Sequence, residues 1–393
     1  MKKHLQNRQR YANILSSVII EVIKSVTYRY EKSFTREKAM KVMKTIVKKI
    51  NEENMEPGCL EDAASILQEE GLVAFPTETV YGLGGDALDT EAAKKIYEAK
   101  GRPSDNPLIV HIADMDSLSD LVEEIPEKAY QLANKFWPGP LTMIMRKSNK
   151  VPYGTTGGLD TVAIRMPSNK IALQLIRESG VCIAAPSANT SGRPSPTKAE
   201  HVIEDLNGKI DMIIDGGAVG IGLESTIVDL TSEIPTILRP GFITKEMLEE
   251  VIGTVEIDET IIAKKMDPNL RPKAPGMKYK HYAPKAELTI VEGIEQAVVD
   301  TINEYAAQKM EEGYRVGVIA TDETFARYKA SCVKTIGSRH DEEQIARGLY
   351  AILRDFDEQE VDIIYSEGFA DSKLGQAIMN RLLKAAGYHV VEV

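Results

Sequence analysis

The sequence predicts an α/β protein in which a twisted-sheet domain with surrounding helices is followed by a linker and a small Rossmann-like domain. Three observations carry this expectation. Apolar runs of strand length alternate with amphipathic helical segments over about 200 residues from Glu61. The pattern lapses between Asp258 and Pro284 into "KKMDPNLRPKAPGMKYKHYAP", whose Pro and Lys content is that of a linker. A second alternation then runs to the C-terminus. At 393 residues the chain exceeds one ordinary core, and the expected division is 1–42, 43–257, 258–284 and 285–393.

Residues 1–42 hold ten Lys or Arg against three Glu, with Ile14, Val18, Val22 and Val26 at helical spacing. A surface extension, an arm for tRNA or a protein partner, and translation from Met43 are all open readings of this segment. "MKTIVKKI" then reads as an opening strand. "LEDAASILQEEG" has helical periodicity, with Gly71 as its cap. "LVAFPTETVYGLGGDAL" reads as a buried strand breaking into a polar, glycine-punctuated loop. "DTEAAKKIYEAKG" is a helix opened by Asp89 or Thr90 and closed by Gly101. The loop "RPSDN" leads to the strand "PLIVHIA". "PEKAYQLANKFWPGPLTMIMRK" is a helix halted at Pro138-Gly139-Pro140, then a strand. "TVAIRMP" is a strand, "NKIALQLIRESG" a helix, and "VCIAAPSANTSGRPSP" a strand running into a polar turn. "KIDMIIDGGAVGIGLESTIVDL" holds two strand-like runs joined by glycines, and "PTILRPG" closes the domain. Beyond the linker, "ELTIVEG", "RVGVIATDE", "SCVKTIGS" and "VDIIYSEG" alternate with helices, and "LGQAIMNRLLKAAG" and "HVVEV" follow.

Outside residues 1–42 the chain has 38 basic against 56 acidic residues, a balance of −18. Such a surface is poorly suited to bind nucleic acid by phosphate neutralisation, so basic side chains recurring in loops call for a local explanation. Cys59, Cys182 and Cys332 are far apart and form neither a metal-ligand spacing nor an even disulfide set, which points to a reducing, cytoplasmic setting. No apolar run reaches the roughly 18 residues of a spanning helix. "ILSSVIIEVI" is short, contains Glu21 and lacks a small-residue cleavage signature. GxxxxGK[ST], HExxH and GxSxG are all missing, and the second domain has no GxGxxG.

What remains is similar chemistry at successive strand ends: Lys100 and Arg102, Arg165, Ser187 and Asn189, Arg193, Ser225 and Thr226, and Arg239. Each alone has an ordinary structural reading, such as a helix C-terminal cation or a turn residue. Together they suit a polyphosphate or a carboxylate, because guanidinium forks bind anions bidentately and small residues let backbone N–H groups approach.

"FPTETVYGLG", "KGRPSDNPLIVHI", "WPGPLT", "GLDTVAIRMP", "IAAPSANTSGRPSPT", "ESTIVDL", "LRPG" and "APGMKYKHYAP" together resemble the threonylcarbamoyl-AMP synthase family. The resemblance is to its long form, a YrdC-type domain with a linker and a small C-terminal domain, and it runs from about Met43 to the end of the chain. It implies an enzyme that makes threonylcarbamoyl-AMP from L-threonine, bicarbonate or CO2, and ATP, with release of pyrophosphate, for threonylcarbamoyladenosine next to the tRNA anticodon. Separate threonylcarbamoyl-transfer proteins would use the product, and direct contact with tRNA stays open. A binding module that holds RNA without chemistry is disfavoured by the acidic balance. A carbamoyl transferase of the hydrogenase-maturation kind is disfavoured because no acylphosphatase or zinc-finger segment is visible.

Carried over by resemblance, Lys100, Arg102, Ser187 and Asn189 form the catalytic set. L-Threonine would be held by Thr79, His111, Arg165, the backbone near Ala185, and Ser225. ATP would be held by Arg102, Asn106, Thr161, Ser187, Ser195, Arg239 and Tyr282, with Mg2+ accompanying the nucleotide and no direct metal-binding motif in the chain. Lys100, Arg102 and Arg239 together suit the triphosphate. His111 is expected to bind rather than to accept a proton, and Pro103 and Pro107 to fix the distance between the two halves of the site. The segment "PGMKYKHYAP", with Lys278, Lys280, His281 and Tyr282, is expected to fold over the nucleotide as a lid. For the C-terminal domain, docking of the linker, dimerisation and ligand binding all stay open.

Overall fold

The computed structural model describes residues 44–262, 273–275, 281–369 and 374–393. The readings made for residues 1–42, Met43, Lys278 and Lys280 lie outside these. Among the described residues, the larger sheet contains β1 (Ile46–Lys49), β2 (Val73–Phe75), β3 (Gly82–Asp86), β4 (Ile109–His111), β5 (Leu141–Arg146), β6 (Thr161–Arg165), β7 (Ile183–Ala184), β8 (Met212–Asp215), β9 (Thr226–Asp229), β10 (Thr236–Arg239) and β11 (Glu256–Ile257). Their spatial order is β1-β8-β2-β3-β7-β4-β6-β5-β9-β10-β11, with parallel and antiparallel pairs mixed. The helices around it are α1 (Glu61–Gln68), α2 (Thr90–Lys100), α3 (Leu118–Leu121), α4 (Glu127–Phe136), α5 (Tyr153–Thr156), α6 (Lys170–Ser179), α7 (Ala199–Leu206), α8 (Lys245–Ile252) and α9 (Glu259–Ile262).

Helix ends follow local chemistry where side chains can cap them. The Asp89 carboxylate accepts from the Glu91 amide at 2.8 Å, and Gly101 closes α2 at φ 60°. Asn169 accepts from Ala172 at 3.1 Å to open α6, which Gly180 ends at φ 66°. The expected cap at Gly71 is corrected: α1 ends at Gln68, and the left-handed residue beyond it is Glu70, at φ 61°. Gly71 is required for space, since a Cβ there would lie 2.8 Å from the Ile66 carbonyl oxygen. A second correction concerns "GLGGD". It is not a loop but the buried strand β3, whose small residues let β2 and β7 pair with it on either side.

The second sheet is wholly parallel. It contains β12 (Glu287–Glu292), β13 (Val316–Ala320), β14 (Cys332–Thr335), β15 (Ile363–Glu367) and β16 (Val390–Glu392), in the order β14-β13-β15-β12-β16. Helix α10 (Glu295–Glu311) packs on one face with Val291, Val316 and Val318. Helices α11 (Glu342–Glu358) and α12 (Leu374–Ala385) pack on the other with Leu288, Ile290 and Ile364. Thr45–Val393 form one compact unit, and α11 and α12 make its seam. Val80 and Leu223 of the first domain share an apolar cluster with Tyr350, Leu353 and Ile378. Arg354, buried on α11, donates to the Pro194 carbonyl at 2.7 Å and to Asp205 at 2.9 Å.

Candidate active site

Strand pairing builds the first half of the site. β4 and β6 run parallel with His111 opposite Arg165, so an imidazole and a guanidinium stand side by side at adjacent strand ends. Arg165 donates through Nε to the Gly139 carbonyl at 3.3 Å and through one terminal nitrogen to Thr79 Oγ1 at 2.9 Å. Its other terminal nitrogen lies 2.6 Å from the Glu78 carboxylate, a buried ion pair without hydrogen-bond geometry. Thr79 is fixed by Thr77, whose hydroxyl is 2.8 Å away and donates to the Val80 carbonyl at 2.6 Å. Burial and the adjacent Arg165 draw the His111 pKa down to about 3, so the ring is neutral near pH 7. Its Nδ1 faces the Ile109 carbonyl at 3.1 Å and therefore carries the proton. Such a weakly basic ring is a poor proton acceptor and a suitable neutral binding group. Ser225 meets Thr142 at 2.7 Å and accepts from Arg239 at 3.1 Å. The Ala185 amide is engaged by the Ile109 carbonyl at 2.8 Å, so that residue presents its carbonyl and methyl groups.

The second half rests on the end of α2. Lys100 is almost wholly buried, and its ammonium donates to the carbonyls of Ser187 and Asn189. Burial, followed by the nearby Arg102, lowers its pKa well below the usual lysine value. In the structure Lys100 fixes this loop and also lines the chamber. The Ser187 hydroxyl then donates to Asn189 Oδ1 at 2.5 Å, and Asn189 Nδ2 donates to the carbonyls of Thr190 and Arg193. Arg102 reaches back to the carbonyls of Asn106 and Pro107, both at 3.3 Å, so the Pro103–Pro107 turn does position one guanidinium.

The chamber between the halves is about 60 Å³. Every expected site residue lines it except Asn106, Thr161 and Ser195. Asn106 is buried behind Arg102 with its Oδ1 unpartnered. Thr161 begins β6, opposite Arg146, whereas Arg165 ends that strand, so the two lie roughly 13 Å apart along it. Ser195 acts one shell back, donating to Glu224 at 2.5 Å. Pro275, His281 and Tyr282 of the linker complete the lining. Tyr282 has φ 65°, unusual for a non-glycine residue, and stacks on Tyr350 with ring centroids 5.2 Å apart.

Glu224 was not anticipated and is the hub of the seam. It accepts from Ser195, from the Tyr350 hydroxyl at 2.8 Å and from Arg381 Nε at 3.0 Å. Burial alone would raise its pKa, but Arg381, Arg239 and these hydrogen bonds hold it at about 2. The C-terminal domain therefore supplies a direct support of the pocket wall. Glu78 was also missed, although it stands inside "PTET". Glu224 precedes Ser225 in "ESTIVDL", and neither acid differs in sequence from an ordinary surface carboxylate.

A mixed-sheet α/β domain with an arginine-rich pocket, lined in part by the linker and braced by a parallel α/β domain, defines a two-domain class whose pocket chemistry suits small anionic groups. Residues 65–241 match the Sua5/YciO/YrdC family model described as "Telomere recombination", and residues 243–387 match "Threonylcarbamoyl-AMP synthase, C-terminal domain". A threonylcarbamoyl-AMP synthase of Bacillus subtilis is 55% identical over 330 residues, covering 84% of this chain and 93% of that protein. One from Pyrococcus abyssi is 52% identical over 341 residues, covering 87% and 98%. The crystal structure of P. abyssi Sua5 complexed with L-threonine has 51% identity and a TM-score of 0.84, covering 89% of this chain and all of that one. The chain belongs to the threonylcarbamoyl-AMP synthase family, as the motifs implied.

Proposed function

We propose that this protein joins L-threonine, bicarbonate or CO2, and ATP into L-threonylcarbamoyl-AMP and releases pyrophosphate, for threonylcarbamoyladenosine formation in tRNA. The observation that carries this reading is the pairing of His111 with Arg165 beside a wall holding Arg102 and Arg239. The threonine carboxylate would take the Arg165 fork, replacing the contact now made by Glu78, and its hydroxyl would meet Thr79 or His111. The amine, once deprotonated, attacks the carbon of CO2 to form a C–N bond. A carbamate oxygen then attacks the α-phosphorus, and pyrophosphate leaves. Arg102 and Arg239 would bind the phosphates, and Ser187 and Asn189 are held in place by Lys100. In this scheme the chain's residues accelerate the reaction by alignment and fixed dipoles.

A chamber of about 60 Å³ is far below the roughly 300–1,000 Å³ of ligand pockets, so the linker around His281 and Tyr282 would withdraw to admit ATP and return over it. Among the described residues no group of three or more His, Cys, Asp or Glu is placed to hold a metal ion, and Glu224 is already engaged by three donors. These groups do not form a Mg2+ cage; the ion would enter on the nucleotide, liganded by phosphates and water. No helix among the described residues is long and apolar enough to cross a membrane, and a cytoplasmic site of action beside tRNA and the threonylcarbamoyl-transfer proteins fits this reading.

Calorimetric titration with L-threonine tests the assignment of the amino-acid half. Arg165→Ala is expected to weaken binding by about 100-fold, the loss of a buried charge-assisted pair. L-Valine should bind at least about tenfold more weakly than L-threonine, because the polar groups meant for the hydroxyl go unpaired. Unchanged threonine affinity in Arg165→Ala would contradict the assignment.

A further inference from the structure

The C-terminal domain has a crevice of its own, separate from the active site. The chain leaves β12 through α10 toward β13, and leaves β15 through α12 toward β16, in opposite directions along the sheet and on opposite faces. Because β12 and β15 are neighbours, their C-terminal ends diverge into a cleft, the place where open parallel sheets take small ligands. The cleft has a volume of about 490 Å³, enough for a small metabolite. Gly293 starts the divergence at φ 153°, where a Cβ would meet the Val393 carbonyl oxygen at 2.1 Å.

Two polar side chains in the cleft can meet a ligand. Arg339 lines the cleft and donates to the Gly368 carbonyl at 3.0 Å and to Glu367, with 31% of its side-chain surface still exposed. The Glu292 side chain, at the end of β12, makes no hydrogen bond or ion pair among the described residues, while its backbone carbonyl accepts from the Val393 amide at 2.9 Å. The other acids are occupied. Glu367 receives Thr324, Tyr328 and Arg339, and Glu295 pairs with Arg327 at 2.5 Å. Val298, Phe369, Met379 and Leu383 supply an apolar wall. The cleft also borders the start of α10, a 17-residue helix whose first turn has no side-chain cap.

We propose that this cleft binds an apolar L-α-amino acid. The ammonium meets Glu292, the carboxylate meets the exposed part of Arg339 and the start of α10, and the side chain lies among Val298, Phe369, Met379 and Leu383. A zwitterion matches one unpaired carboxylate beside a partly exposed guanidinium, whereas the acidic rim of Glu292, Glu295 and Glu367 opposes a polyphosphate. Met379 and Leu383 belong to α12, the helix whose Arg381 holds Glu224, so occupancy bears on an element that also braces the active site.

The test is calorimetry and thermal unfolding of the full chain with L-leucine, L-methionine and L-phenylalanine, each to roughly 10 mM. At least one should bind and raise the unfolding midpoint. Glu292→Gln should weaken that binding by about tenfold, worth 1.4 kcal/mol. Leu383→Trp, which fills the cleft, should abolish it, and Arg165→Ala should leave it unchanged, separating this site from the threonine pocket. The proposal is overturned if none of the three binds, or if binding survives Glu292→Gln but is lost in Arg165→Ala. Binding of adenosine in their place, sensitive to Leu383→Trp, would also overturn it.

Discussion

Lys100→Met is expected to lower turnover by about 100-fold or more and to destabilise the fold by about 2–4 kcal/mol. Methionine keeps most of the volume but cannot donate to the carbonyls of Ser187 and Asn189, which the buried ammonium now satisfies. Two acceptors are then left without their donor in a closed interior, and the loop that aims Ser187 and Asn189 loses its anchor. Steady-state kinetics alongside urea unfolding separates the effects: both kcat and the urea midpoint should fall. A variant with normal kcat would show that the Lys100 contacts are incidental to the reaction.

Glu224→Ala is expected to cost about 3–5 kcal/mol of stability, since it leaves Arg381 buried without its anionic partner. The same substitution frees Ser195 and removes the charge that faces Arg239, so KM for ATP should rise more than KM for threonine. The double variant Glu224→Ala/Arg381→Leu should be less destabilised than the sum of the singles, because the second change removes the stranded cation. Strict additivity in urea unfolding would mean that the pair does not join the two domains energetically.

The alternation of strands and helices, the caps at Asp89, Gly101 and Asn169, and the cations at strand ends were legible because each depends on residues near in sequence. The pairing of His111 with Arg165 was not, since it depends on β4 and β6 being neighbours although about 50 residues of chain separate them. Thr161 and Arg165 share "TVAIR" but stand at opposite ends of that strand, and of the two only Arg165 lines the chamber. The contacts of Lys100 with the Ser187 and Asn189 carbonyls are not legible either, because sequence shows a charge and not the backbone groups packed against it. Arg381 was within reach, however. It falls at helical spacing with Leu374, Ala377, Ile378 and Ala385, on a face that is otherwise apolar, and a cation there demands a buried partner. That partner, Glu224, lies 157 positions away in sequence, and only the packing of the two domains identifies it.

In the proposed reaction one closed pocket holds threonine, a one-carbon acid and ATP together. The decisive measurement is pyrophosphate release by the purified full chain, with all three substrates and with each omitted in turn. Rapid release is expected only when L-threonine, bicarbonate and ATP are all present, and is expected to be lost in Arg102→Ala. Equal release without threonine or without bicarbonate, or full activity in Arg102→Ala, would contradict the proposed reaction.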